Sequence, residues 1–174
     1  MSLATRAPSS VSRGAAIALA AAGPVAIGGI LAARLHDPRP MVVAPAIVFG
    51  VVAATAPALY IATAAAGQAP PLAQVMRAFG VALGAFGIAL AGLILPAAFA
   101  ALSSVSPGTA IAAATAAIAA AGLLALRRLA SELAAGRPGA ARSLAGGAVF
   151  LIWAASVGTI AGRLWWDLAV EVVS

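Results

Sequence analysis

Cysteine and lysine are both absent from this 174-residue chain, histidine occurs once, and charged residues make up only 8% of it. Without cysteine there is no disulfide framework, no thiolate metal site and no redox dithiol. Soluble domains carry about a quarter charged residues, and a soluble protein of this size buries only about 70% of the surface its unfolded chain exposes. A chain that is 64% hydrophobic would therefore present large apolar patches to water and aggregate. The scarcity of charge excludes a soluble globular domain and makes lipid the solvent. No polar segment is long enough for a second domain, so residues 1–174 read as a single transmembrane domain.

What is present is apolar and comes in blocks. Five uncharged stretches, 15–33, 41–66, 78–102, 109–126 and 143–162, each approach or exceed the roughly 20 residues that a helix needs to cross about 30 Å of hydrocarbon. Within lipid a helix satisfies all its own backbone groups. The expected fold is all-α: an integral membrane bundle of about five transmembrane helices. The fourth stretch is the shortest at 18 residues, and it draws on Arg127 and Arg128, whose apolar stems let their charges snorkel to the headgroups. Arg6 and Arg13 before the first stretch mimic a signal peptide. A cleavable apolar core runs about 7–15 residues, however, and this one has 19 without a charge, so a retained helix is expected.

The breaks have local causes. Arg34-Leu-His-Asp-Pro-Arg-Pro40 combines charge with two prolines that cannot continue a helix and reads as a tight loop. Gly67 is a candidate C-terminal cap, and Pro70-Pro71 restarts a helix whose first turns, through Gln74 and Arg77, lie at the interface. Residues 103–108 form an uncharged turn. The fourth helix is expected to run past the membrane to Ala135, with Arg128 and Glu132 as an i,i+4 pair, until Gly136 and Pro138 stop it.

All ten basic residues are arginine, against four acidic ones, for a net charge of +6. A nucleic-acid binder needs a clustered basic face with polar or aromatic readers. These arginines stand singly or in pairs between apolar runs, which is the pattern of membrane orientation. With five spans, Arg6, Arg13, Arg77, Arg127, Arg128, Arg137 and Arg142 share the side of the N-terminus, and Arg34, Arg39 and Arg163 share the other. The positive-inside rule then predicts a cytoplasmic N-terminus and an external C-terminus, with Trp165 and Trp166 in the outer aromatic belt. The Arg-for-Lys, Ala-rich bias matches a high-GC bacterium, so the expected location is a bacterial inner membrane.

None of the five stretches contains an ionisable aspartate, glutamate, lysine, arginine or histidine, the groups that mark ion paths and proton relays. Asp37 and Asp167 lie outside them, and the lone imidazole, His36, has only Asp37 beside it, too few ligands for a metal. Ser156 and Thr159 lack a general base and are expected to bond their own i−4 carbonyls. Gly80–Gly84 and Gly158–Gly162 match the Gly-x-x-x-Gly spacing, but about two such pairs are expected by chance at this glycine content. The abundance of Ala and Gly as a whole carries the argument for close helix packing. Pro45, Pro57 and Pro96 fall inside apolar stretches and are expected helix kinks. Trp153 lies near mid-span, so its indole N–H should find a partner in the bundle.

The chain also carries Pro45 early in a span, Thr55-Ala-Pro-Ala-Leu-Tyr60, the Gly67 loop, and Leu95-Pro96 followed by Ser103-Ser104. Ala121-Gly-Leu-Leu-Ala-Leu-Arg127, Trp153, Val157-Gly-Thr159 and Trp165 continue the pattern. Through these it resembles a group of small bacterial multi-pass membrane proteins, comparable in size to Yip1-type proteins, and the resemblance implies no catalytic, cofactor or ligand residues. The expectation is a non-catalytic scaffold or accessory subunit of an inner-membrane complex, binding other membrane proteins or itself through small-residue faces. Arg127, Arg128, Arg137 and Arg142 are expected anionic-lipid contacts. The alternative is a small transporter or channel for a neutral or apolar solute, gated by Pro45, Pro57 and Pro96 and lined by Thr55, Tyr60, Thr63, Ser156 or Thr159.

Overall fold

The computed structural model describes residues 13–67, 70–135 and 144–173. Among them the regular structure is entirely helical: α1 (Arg13–Leu35), α2 (Arg39–Ala65), α3 (Leu72–Ser103), α4 (Pro107–Ala135) and α5 (Leu144–Val173). Four helices, α2 to α5, are long and apolar enough to cross a membrane, and α1 contributes a shorter apolar segment, Ala20–Leu35. The chain is a multi-pass membrane protein. Its outer surface requires that solvent: Leu95 is 80% exposed and Phe99 75%, while no polar or charged side chain is buried among the described residues.

The turns follow the chemistry of their residues. Three residues, 36–38, separate α1 from α2, and His36 takes the left-handed conformation at φ 58° that reverses the chain. Arg39 and Pro40 already belong to α2, a shorter loop than the prolines implied. Pro40 sits in the first turn, where its missing N–H has no intrahelical acceptor to lose. The Asp37 carboxylate accepts the Arg39 N–H at 2.9 Å, placing a negative charge at the positive end of α2. Gly67 closes α2 at φ +68°, donating its N–H to the Ala64 carbonyl at 2.9 Å, the expected glycine cap. Ser106 precedes Pro107, the first residue of α4, and its hydroxyl accepts the Thr109 N–H at 3.3 Å, the N-cap arrangement.

Packing places α3 against both α1 and α4, with α2 on the far side of α1 and α5 attached mainly to α2. Ala110, Ala114, Ala117 and Ala121 are all buried. Their 4-3-4 spacing makes an alanine seam along α4 that lets it lie close to its neighbours. This seam joins Ile27 and Leu31 of α1 with Phe86, Leu90, Ala97 and Ala101 of α3 in one apolar cluster. A second cluster at the other end joins Leu59, Val75, Ala78, Phe79, Ala82, Leu129 and Trp153. α1 and α2 approach each other closely where they cross. A Cβ on Gly28 would lie 2.3 Å from the Pro40 carbonyl oxygen and 2.7 Å from the Met41 Cα, so only glycine fits there.

Pro24, Pro45, Pro57 and Pro96 all lie inside helices that continue past them. α5 does not end with the apolar run at Gly162 but continues to Val173. No glycine or proline follows Gly162 to stop it, and Arg163, Asp167 and Glu171 recur at one-turn spacing along the extension.

Candidate functional site

The two ends of the bundle differ in charge and in how that charge is satisfied. One end gathers the α1–α2 and α3–α4 turns with the tip of α5. It carries Arg34, Arg39 and Arg163 against Asp37, Asp167 and Glu171, so it is formally neutral with His36 uncharged. Each of its arginines has an internal partner. Arg34 donates to the carbonyl of Ser104 at 3.0 Å and to that of Val105 at 3.5 Å, covering two carbonyls of the turn that follows α3. Arg39 pairs with Glu171 across the tip of α5, and Arg163 pairs with Asp167 at 3.2 Å on α5 itself. Trp165, expected in the aromatic belt, donates its indole N–H to the Thr115 hydroxyl of α4 at 2.7 Å. Trp166 beside it is 64% exposed.

The other end is basic. Among the described residues it holds Arg13, Arg77, Arg127 and Arg128 against Glu132 alone. Arg128 pairs with Glu132 at 2.9 Å, the expected i,i+4 contact, while Arg77 and Arg127 are exposed and have no ion-pair or hydrogen-bond partner among the described residues. Arg137 and Arg142, named with them as lipid contacts, lie outside the described residues.

Between the ends the polar groups serve their own helices. Thr55, Thr63, Thr115, Ser156 and Thr159 each donate a hydroxyl to the carbonyl four residues earlier, at 2.7–2.9 Å. Thr55, Tyr60 and Thr63 are half-buried on α2, whereas Ser156 and Thr159 lie exposed on α5. The Trp153 indole N–H finds the backbone carbonyl of Thr55 at 2.8 Å, and its ring meets Phe79 edge to face at 5.9 Å. A small apolar cavity of about 10 Å³ lies among Leu31, Leu35, Pro40, Ile111, Trp165 and Leu168, room for about one water. His36 and Asp37 attract no third metal-ligating group, and no cluster of three such groups occurs among the described residues.

α5 is the peripheral helix. Among its described side chains only Trp153 and Leu168 are buried. Leu151, Ile152 and Trp166 are each at least 64% exposed, and a Cβ on Gly147, Gly158 or Gly162 would meet nothing within 4 Å. By contrast, Gly80 on α3 is open while Gly84 is buried. Of the two Gly-x-x-x-Gly pairs, the one on α5 alone presents both residues to the surroundings. Sequence reasoning missed the Arg34 clamp, the Thr115–Trp165 bond and the Arg39–Glu171 pair, since each joins elements whose pairing the sequence does not display.

No protein family, curated protein or solved structure matches this chain.

Proposed function

We propose that this protein is a non-catalytic scaffold or accessory subunit of a bacterial inner-membrane complex, one of the small multi-pass proteins its motifs resemble. Its N-terminus is cytoplasmic and its C-terminus external, by the excess of arginine on the N-terminal side. The observation that carries this reading is the outward face of α5. That helix crosses the membrane while burying little against its own bundle, and Gly158 and Gly162 stand open on it. Close backbone approach at small residues is how membrane helices associate when both meet equally apolar surroundings. The hydroxyls of Thr55, Thr63, Thr115, Ser156 and Thr159 are satisfied on their own helices, which favours a packing role over a conducting one.

The test is purification from native membranes after mild crosslinking. The expected result is a partner, or a second copy, at fixed stoichiometry that is lost in G158I/G162I and retained in G50I. Gly50 is equally open but lies on α2. A monomer unaffected by G158I/G162I, or flux of a neutral solute through the isolated protein in liposomes, overturns the reading.

A further inference from the structure

We infer that the end of α4 holds an anionic phospholipid by its phosphate, through Arg127 and Arg128. Three observations converge. The first is depth. α3 and α4 run antiparallel from the short turn at 104–106, so distance from that turn measures depth for both. At about 1.5 Å per residue, Arg127 lies about 30 Å from the turn and Arg77 on α3 about 39 Å. The hydrocarbon layer is itself about 30 Å thick. Arg127 and Arg128 therefore reach the level of the lipid phosphates on the opposite face, while Arg77 stands about 9 Å further out, where water competes.

The second observation is satisfaction. Every arginine at the neutral end is engaged within the chain. At the basic end Arg127 is exposed without a partner among the described residues, and Arg128, paired with Glu132, keeps a side chain 55% exposed. A guanidinium offers five N–H donors in a planar fork that fits phosphate, so one carboxylate leaves most of the donors of this pair open. The third is context. Leu123 and Leu124, one turn deeper on α4, are 68% and 51% exposed. An anion reaching Arg127 and Arg128 thus has acyl-chain surface directly beneath it, which suits a phospholipid and not a free phosphate ion.

The inference concerns the isolated chain and is independent of any partner on α5. The full-length protein in detergent is titrated with phosphatidylglycerol or phosphatidylcholine of matched chains, and bound lipid is counted by native mass spectrometry. Wild type should retain phosphatidylglycerol preferentially. Retention should fall about fivefold for R127Q or R128Q and about 25-fold for the double variant, as expected for one charge each at an anionic surface. R77Q should change it less than about twofold, since Arg77 lies off this level. R127K/R128K, which keeps the charge and loses the planar fork, should fall between wild type and R127Q/R128Q, and inorganic phosphate should not displace the lipid. The inference is overturned by equal retention of the two lipids by wild type, by unchanged retention in a folded R127Q/R128Q, or by displacement with inorganic phosphate. Equal loss in the lysine and glutamine double variants would also overturn it.

Discussion

Gly28 and Trp153 show two opposite ways in which a single position matters in an apolar bundle. At Gly28 the backbone of α2 occupies the space a side chain would need, with Pro40 and Met41 main-chain atoms at 2.3–2.8 Å from a Cβ. Backbone cannot rotate aside as a flexible side chain can, so Gly28→Ala should destabilise by about 1–3 kcal/mol, the cost of overpacking. Gly29→Ala, where a Cβ meets nothing, should be neutral or slightly stabilising, and reversible unfolding in mixed micelles compares the two. Trp153→Phe keeps an aromatic ring beside Phe79 and loses the N–H bond to Thr55. It should lower stability by about 0.5–1.5 kcal/mol, with Trp153→Ala costing about 3–5 kcal/mol. The need of Trp153 for an acceptor was legible from an indole at mid-span. Its identity was not, because the acceptor lies 98 residues away and depends on α5 packing against α2. The role of Gly28 was invisible among 18 glycines, since only the crossing of α1 and α2 distinguishes it.

The helices themselves were largely legible, and for a physical reason: in hydrocarbon each span must be a continuous helix, so an uncharged run of sufficient length reports one directly. Those runs marked all five helices, and Gly67 and the 103–108 turn marked two of the connections. Where helices ended was less legible, because a charge marks the edge of hydrocarbon and not the end of hydrogen bonding. α5 outlasts its apolar run by 11 residues with no breaker to announce where it stops, whereas α4 ends at Ala135, as expected from Gly136 and Pro138 just beyond it. The α3–α4 turn shows how such protruding elements are tied together. Arg34, half-buried on α1, reaches the Ser104 and Val105 carbonyls, so one charged side chain joins three helices. Arg34→Gln should destabilise by about 1.5 kcal/mol, the lower part of the range for bonds to charged groups because the site is partly solvated. Amide exchange at 104–106 should rise more than in the Gly67 loop. Equal exchange in both loops would mean that the clamp contributes nothing. The Arg39–Glu171 pair is a contrasting case, with side chains 59% and 63% exposed. Arg39→Gln should change stability by less than about 1 kcal/mol.

Counted over five spans, the sequence segregates its charge: the whole net +6 falls on the side assigned to the N-terminus, because the three arginines assigned to the other side are matched by Asp37, Asp167 and Glu171. Two accounts of orientation can then be separated. If net charge governed insertion, removing those three acidic residues would make the external end positive and disturb the topology. If the count of basic residues governs, as the positive-inside rule holds, Asp and Glu contribute little and the topology should stand. The expected outcome is therefore asymmetric. A phosphatase fused after Ser174 should be active and a fluorescent protein there dark, and D37N/D167N/E171Q should leave both signals unchanged. Replacing Arg6, Arg13, Arg77, Arg127 and Arg128 with Gln leaves Arg137 and Arg142 against Arg34, Arg39 and Arg163, which reverses the bias and should give mixed or inverted signals. A dark phosphatase in the unmodified chain would place the C-terminus in the cytoplasm. The proposed topology would then be lost, while the helical bundle and its internal contacts would stand.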